Sequence, residues 1–334
     1  MRAAGRKPNL FIVGAPKSGT TALWSYLSMH PDIYSAGAEP EPRQSENGTV
    51  GTSDRGVPQG KEYYYFGTDL RSHNSARRSL ESYMAAFAGA SDERYLIDAS
   101  PMYLCSERAA AEIAAFSPDA RAIALLRNPV DMMYSLHGEA LFQGDEDIAD
   151  FEGALAAEDD RQQGKRIPPT CQGALWSLFY RDVARYADQV ERFFDALGRD
   201  RVHIIVFDDF AADPAAAYRS TLAFLDLDVD EDHLPDFAVV NAHTAPRSGV
   251  VVRLLRDPPP VLRTFTRALV RNQATRRTLG LRAQQLNARR QQRQPLQPAL
   301  RRGLQVELAE DVRRLGQLID RDLSSWIEPA TDRA

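Results

Sequence analysis

The sequence predicts an α/β fold: a parallel β-sheet flanked by helices, organised as a single domain over residues 8–330. Three observations carry this. Short apolar runs of strand length recur along the chain, each followed by a turn. Helix-period segments separate those runs, and such alternation favours parallel pairing. The chain has 334 residues and 43% hydrophobic content, enough to fill one large core.

The elements follow in order. Residues 10–13, LFIV, form a first strand. A turn of small residues, 14–19, leads to a helix at 21–27 with Leu23, Trp24 and Leu27 on one side. Helical patterns at 79–87 and 109–116 bracket a strand at 95–97. Residues 122–126 are apolar and end at Arg-Asn-Pro; Pro129 suits the first turn of a helix over 130–142. A long helical pattern covers 173–197, then a strand at 202–207, an Asp-Pro turn and a helix at 214–225. Residues 304–319 are amphipathic, and Trp326 reads as a packing anchor.

Three stretches interrupt this rhythm. Residues 36–60 are polar, rich in Gly, Pro, Ser and Glu, and without periodicity. A loop of that length is a lid, a binding loop or disordered, and it leads into Lys61 and Glu62. Residues 143–170 are also polar; they could wall an acceptor, and their acidic side chains read as a solvated face. Residues 247–302 hold fourteen arginines, one Asp and no Glu or Lys. Such a segment can close over an anionic ligand, recruit an acidic acceptor, touch an anionic membrane surface or remain a solvated helical surface.

The most informative stretch is 10–27, LFIVGAPKSGTTALWSYL. A strand, a small-residue loop with one lysine and a helix start form an anion cradle. Unpaired N–H groups at the helix N-terminus carry partial positive charge, and Lys17 adds a full one. The loop is P-loop-like but departs from GxxxxGK[ST]: Gly14 and Gly19 have the spacing, yet Thr20 stands where the lysine belongs. Gly14 and Arg127 each follow a strand, so both can reach one crevice at the carboxyl ends of the sheet.

At these residues the chain resembles the sulfotransferases that use phosphoadenosine phosphosulfate (PAPS), in particular their bacterial and heparan-sulfate-like branch. APKSGTTAL is similar to the family's 5′-phosphosulfate loop, and AIALLRNPVDMMYS, 122–135, to its 3′-phosphate motif. KEYYYF, 61–66, and IDASPMYL, 97–104, resemble two further blocks of that branch. The strand, Asp-Pro turn and helix at 202–228 resemble the segment that closes its core.

The resemblance implies sulfuryl transfer from PAPS to a hydroxyl acceptor, leaving adenosine 3′,5′-bisphosphate, with no metal expected. It places Lys17, Ser18, Gly19, Thr20 and Thr21 on the 5′-phosphosulfate and Arg127 and Ser135 on the 3′-phosphate. Arginine suits a phosphate because its planar fork donates in pairs. Arg247, in NAHTAPRS, falls in a segment similar to the family's cofactor-closing loop. Glu62 takes the role of general base and Lys61 a place near the transferring group; a plain pairing of Glu62 with Lys61 or Arg94 is the other reading. His137 is the rival base, or else a packed helix residue. Several positions depart from the family pattern. Met132 stands where many relatives have arginine and Tyr64 where histidine is common. Ala99 replaces a lysine frequent in glycosaminoglycan-acting relatives, which weighs against a polyanionic sugar.

Other classes stay open. A P-loop small-molecule kinase would need a metal-binding carboxylate, for which Asp208 and Asp209 are the candidates. A non-catalytic nucleotide or anion sensor would keep Lys17 and Arg127 but have no use for Glu62. The net charge of −5 does not point to nucleic acid. Cys105 and Cys171 have neither metal-ligand spacing nor a disulfide framework, and the opening apolar run is too short for a signal or membrane segment. A soluble, cytoplasmic protein is expected on those grounds. The acceptor is a small molecule, lipid or glycan, and oligomeric state is not readable.

Overall fold

The computed structural model describes residues 6–36, 61–70, 79–171, 175–237, 244–246, 288–290 and 294–328. The expected loop at 36–60, beyond Ala36, and Arg247 with most of 247–302 lie outside the described residues.

Five parallel strands, β1 (Leu10–Gly14), β2 (Ile33–Tyr34), β3 (Tyr95–Ala99), β4 (Arg121–Leu126) and β5 (Val202–Val206), form one sheet. Their order is β2-β3-β1-β4-β5. The chain leaves β1 toward one edge and returns to build the other side from β4. The crevice between the carboxyl ends of β1 and β4 is therefore the topological switch point, where open α/β sheets bind ligands.

The helices among the described residues are α1 (Thr20–Leu27), α2 (Leu80–Ala85), α3 (Ala109–Phe116), α4 (Pro129–Gln143), α5 (Phe151–Ala156), α6 (Glu158–Gln162), α7 (Tyr180–Ala184), α8 (Tyr186–Leu197), α9 (Phe207–Ala212), α10 (Pro214–Phe224) and α11 (Pro298–Leu318). Successive strand residues point to opposite faces, and both faces are covered, as parallel sheets require. Phe11, Val13, Ala122, Ala124 and Leu126 pack with α3, α4, α8 and α11. Leu10, Ile12, Ile97, Ile123 and Leu125 pack with α1 and α10. A short antiparallel pair, β6 (Thr244–Pro246) with β7 (Ala288–Arg290), lies apart from the main sheet. Among the described residues no helix is long and apolar enough to cross a membrane.

Four sequence expectations change. The strand expected at 202–207 stops at Val206, because Phe207 opens α9. The helical pattern at 173–197 divides into a 3-10 turn (Leu175–Leu178), α7 and α8. Arg185 leaves the helical region at ψ 82°, and Asp311 of α11 accepts from the Tyr186 N–H at 2.9 Å, so α8 starts afresh under a tertiary cap.

Residues 143–170 contain α5 and α6, and Asp145, Glu146 and Glu158 in them are buried rather than solvated. Glu146 accepts both forks of Arg161, at 2.8 and 2.6 Å, and Glu158 pairs with Arg181. Finally, α11 starts at Pro298 rather than 304 and so takes up Arg301, which pairs with Asp131 of α4. That arginine of the basic segment finds its counter-charge across the fold. Trp326 is 2% exposed, and its backbone oxygen accepts from Gln305 Nε2 at 3.2 Å and from Asn128 Nδ2 at 3.3 Å.

Candidate active site

The anion cradle forms where the switch point predicts. β1 ends at Gly14, where a Cβ would sit 2.5 Å from Leu104 Cβ and 2.9 Å from the Pro101 carbonyl, so only glycine fits. The loop then turns through two left-handed residues, Lys17 at φ 61° and Gly19 at φ 89°. Gly19 is the N-cap of α1 and no side chain caps the helix. The opening N–H groups at Thr20 and Thr21 therefore keep their anion-binding capacity. Ser18 is fully buried, and its hydroxyl donates to the Pro16 carbonyl at 3.3 Å.

Arg127 joins this loop to the neighbouring strand end. Its Nη1 donates to the Lys17 carbonyl at 3.0 Å, and its guanidinium lies 4.8 Å from the Phe207 ring centroid. Behind it, Asn128 caps α4: its Oδ1 accepts from Val130 N at 3.1 Å and Asp131 N at 3.4 Å. The Asn128 bond to the Trp326 carbonyl ties this turn to the C-terminal segment.

Ser135, on the same helix, is buried, and its Oγ has no hydrogen-bond partner among the described residues. The Tyr186 hydroxyl, at the start of α8, is also buried and has no partner among the described residues. Burial pushes the Tyr186 phenol well above its usual range; the Arg127 charge opposes that shift and Asp311 adds to it. Buried polar atoms normally find partners. Two orphan hydroxyls, one of them within electrostatic reach of Arg127, suit the oxygens of a bound anion.

Lys17 reaches Glu139 of α4, Nζ to Oε2, at 3.3 Å. Sequence reasoning singled out neither Glu139 nor Tyr186. Both come from helices distant in the chain, and neither position has a periodic or spacing signal.

The second group lies at the end of β3, next to β1. Glu62 N donates to the Ala99 carbonyl at 3.1 Å, which fixes the 61–66 segment on that strand end. The Lys61 side chain is fully inaccessible, and its Nζ donates to Glu62 Oε1 at 3.0 Å. Tyr64 Oη donates to Glu62 Oε2 at 3.2 Å. Of the alternative pairings, Lys61 is the one observed; Arg94 instead meets Asp226 at 3.6 Å. Glu62 and Tyr64 have φ of 64° and 46°, a left-handed conformation that costs non-glycine residues about 1–3 kcal/mol each. Such outliers cluster at functional sites.

His137 sits elsewhere. It is fully buried, its Nε2 is 2.9 Å from the Ile148 carbonyl, and its ring packs edge-on against Tyr180. That is the setting of a packed helix residue. The carboxylates considered for a kinase are also engaged: Asp208 accepts from Trp326 Nε1 at 3.0 Å and Asp209 pairs with Arg321 at 2.8 Å. Among the described residues no group of three or more His, Cys, Asp or Glu could hold a metal ion.

Comparison with known proteins gives the family. Residues 8–231 match the description "Sulfotransferase family". The chain is 26% identical to mouse heparan sulfate glucosamine 3-O-sulfotransferase 3A1 over 220 residues, 66% of this chain and 46% of that protein. It is 23% identical to the bifunctional heparan sulfate N-deacetylase/N-sulfotransferase 1 of Caenorhabditis briggsae over 222 residues, 66% of this chain and 23% of that one. The chain thus spans less than half the length of these curated relatives. The crystal structure of a sulfotransferase from Alicyclobacillus acidocaldarius superposes with a TM-score of 0.65 at 28% identity, covering 97% of this chain and 100% of that one. With its matched segment spanning the whole five-stranded sheet, the chain belongs to the sulfotransferase family.

Proposed function

We propose that this protein transfers a sulfuryl group from PAPS to a hydroxyl of a small-molecule, lipid or glycan acceptor. The observation that carries this reading is a pair of anion sites at adjacent strand ends. One is the uncapped loop around Lys17 and Gly19; the other is Arg127 with the orphan Ser135 hydroxyl. A donor with separate 5′ and 3′ phosphates matches two sites better than a triphosphate does.

In this reading Arg127 and Ser135 hold the 3′-phosphate, and the α1 N-terminus with Thr20 and Thr21 holds the 5′ side. Lys17 exchanges Glu139 for the phosphate oxygen on which charge grows as the sulfur–oxygen bond breaks. The acceptor oxygen forms the new bond to sulfur and releases its proton to Glu62. Lys61 and Tyr64 hold that carboxylate in one orientation through the 3.0 and 3.2 Å bonds. Catalysis rests on position and electrostatics, as in phosphoryl transfer. The names of the curated relatives favour an amino-sugar glycan, while Ala99 weighs against a polyanionic one.

Glu62→Gln tests the reading. It keeps the shape and removes the base, so transfer of sulfate to acceptors found by mass spectrometry should fall about 10²–10⁴-fold, with bisphosphate affinity unchanged. A variant that turns over like wild type would remove Glu62 from the mechanism.

A further inference from the structure

We propose that Asp98 is the positioning residue of the Glu62 loop, acting through a relay of two hydroxyls. This rests on Glu62 being the base. Asp98 lies in β3 and is fully buried. Its Oδ1 accepts from Ser100 Oγ at 2.7 Å, and its Oδ2 accepts from Tyr103 Oη at 3.0 Å and Tyr83 Oη at 2.9 Å.

Two of those hydroxyls face the loop with their other side. Ser100 Oγ accepts from Tyr64 N at 3.1 Å. Tyr103 Oη accepts from Tyr65 N at 2.9 Å and from Phe66 N at 3.3 Å. Three consecutive backbone amides, starting two residues after Glu62, thus hang on one buried carboxylate.

The chemistry gives each hydroxyl one orientation. Both Asp98 oxygens accept here, so Ser100 and Tyr103 spend their single proton on Asp98. Their lone pairs then point at the loop. The Tyr103 hydroxyl is saturated, with one bond donated and two accepted. Burial, then the Asp98 charge, pushes the Tyr103 and Tyr83 phenols well above their usual range, so both remain donors across the working pH.

The relay also accounts for the left-handed Glu62 and Tyr64. Such backbone persists only where its surroundings over-determine it. Here the amides of 62, 64, 65 and 66 are all bound to the end of β3 or the turn after it.

Tyr83 supplies an internal control. It donates to the same Oδ2 as Tyr103, and its ring stacks on Tyr65 at 4.4 Å, yet its hydroxyl takes no loop amide among the described residues. Tyr83→Phe keeps the stacking and removes one bond to Asp98. Tyr103→Phe removes a bond to Asp98 and releases two loop amides.

The experiment uses the full chain and four variants: Tyr103→Phe, Ser100→Ala, Ser100→Thr and Tyr83→Phe. Amide hydrogen exchange over residues 61–66 reads the loop directly. Hydrolysis of PAPS by water reads catalysis without an identified acceptor. Titration with adenosine 3′,5′-bisphosphate reads donor binding and shows that each variant is folded.

Tyr103→Phe and Ser100→Ala are expected to speed exchange at 64–66 and to lower kcat by about 10–100-fold, the scale of a misplaced catalytic group, without loss of bisphosphate affinity. Ser100→Thr restores both readouts, and Tyr83→Phe stays near wild type. Equal effects from Tyr83→Phe and Tyr103→Phe overturn the relay, as does unchanged exchange in Tyr103→Phe and Ser100→Ala. Faster exchange with an unchanged rate overturns the positioning role. Glu62→Gln measured alongside separates the two readings: if it hydrolyses PAPS like wild type, the failure lies with the base assignment.

Discussion

Two glutamates near the end of α4 show how differently this fold treats charge. Glu146, just past the helix, is fully buried with Arg161. It takes both guanidinium forks, the Tyr180 hydroxyl at 2.8 Å, and the amides of Asp147 and Ile148 at 3.0 Å. Glu139, in the last turns of the helix, pairs among the described residues with Lys17 alone, at 3.3 Å, and the two side chains are 36% and 27% exposed. The first pair is saturated; the second is a single, partly wet bond. A saturated buried pair fixes structure, whereas a loosely held cation beside an uncapped helix start is free to exchange its partner for a ligand.

The sharpest way to break the comparison is to delete one partner from each pair. Arg161→Met leaves the Glu146 carboxylate uncompensated, which for buried pairs costs about 3–5 kcal/mol. Thermal and denaturant unfolding should record that loss. Glu139→Gln, by contrast, should change stability by less than about 1 kcal/mol, as exposed pairs do. Similar losses from both would erase the distinction.

The next effect is kinetic. Lys17→Ala should lower kcat about 10²-fold, because its charge matters most as the leaving phosphate develops. Arg127→Ala should instead raise the KM for PAPS, since its phosphate does not react. Saturation kinetics decide between them; equal effects on KM alone would show that the two cations are not divided in this way.

A further effect is on the acid side of the stability curve. Burial pushes the His203 imidazole down to about 4, and its ring stacks on Phe224 at 5.0 Å. The unfolded chain takes up a proton near pH 6.5 and the folded one resists until about 4, so stability falls as pH drops through that window. The slope is at most about 1.4 kcal/mol per pH unit. Glu146 acts in the same direction at lower pH: burial raises its carboxyl, but the Arg161 bonds outweigh that and hold it below the usual range. His203→Gln should flatten the slope between pH 6.5 and 4 in unfolding titrations, and an unchanged slope would assign it to other groups.

Much of the donor side was legible in the sequence because it is local. A strand, Gly14, Gly19 and a helix start are contiguous, and so are Arg127, Asn128, Pro129 and Ser135. Their chemistry follows from backbone geometry that short spacing encodes. The two-residue β2 was missed because it is too short to show a period. The buried carboxylates of 143–170 were misread because their partners decide their fate. Glu158 meets Arg181 from a different helix, and outside that segment Arg301 meets Asp131 from 170 residues away. Charge pairing at long range leaves no pattern in composition. Tyr186 and Glu139 were missed for the same reason, and the Asp98 relay shows in sequence only as a block of polar residues whose role needs the loop beside it.

The central claim is a site for two separate phosphates, and bisphosphate binding tests it most directly. Thermal unfolding is measured with adenosine 3′,5′-bisphosphate and with ATP and magnesium at equal concentration, on wild type and on Ser135→Ala. At 100 times its Kd a ligand stabilises the fold by about 2.7 kcal/mol. A clear rise in Tm is expected with the bisphosphate, little with ATP, and a reduced rise in Ser135→Ala. An ATP shift as large as the bisphosphate shift, or one that Ser135→Ala leaves untouched, would contradict it.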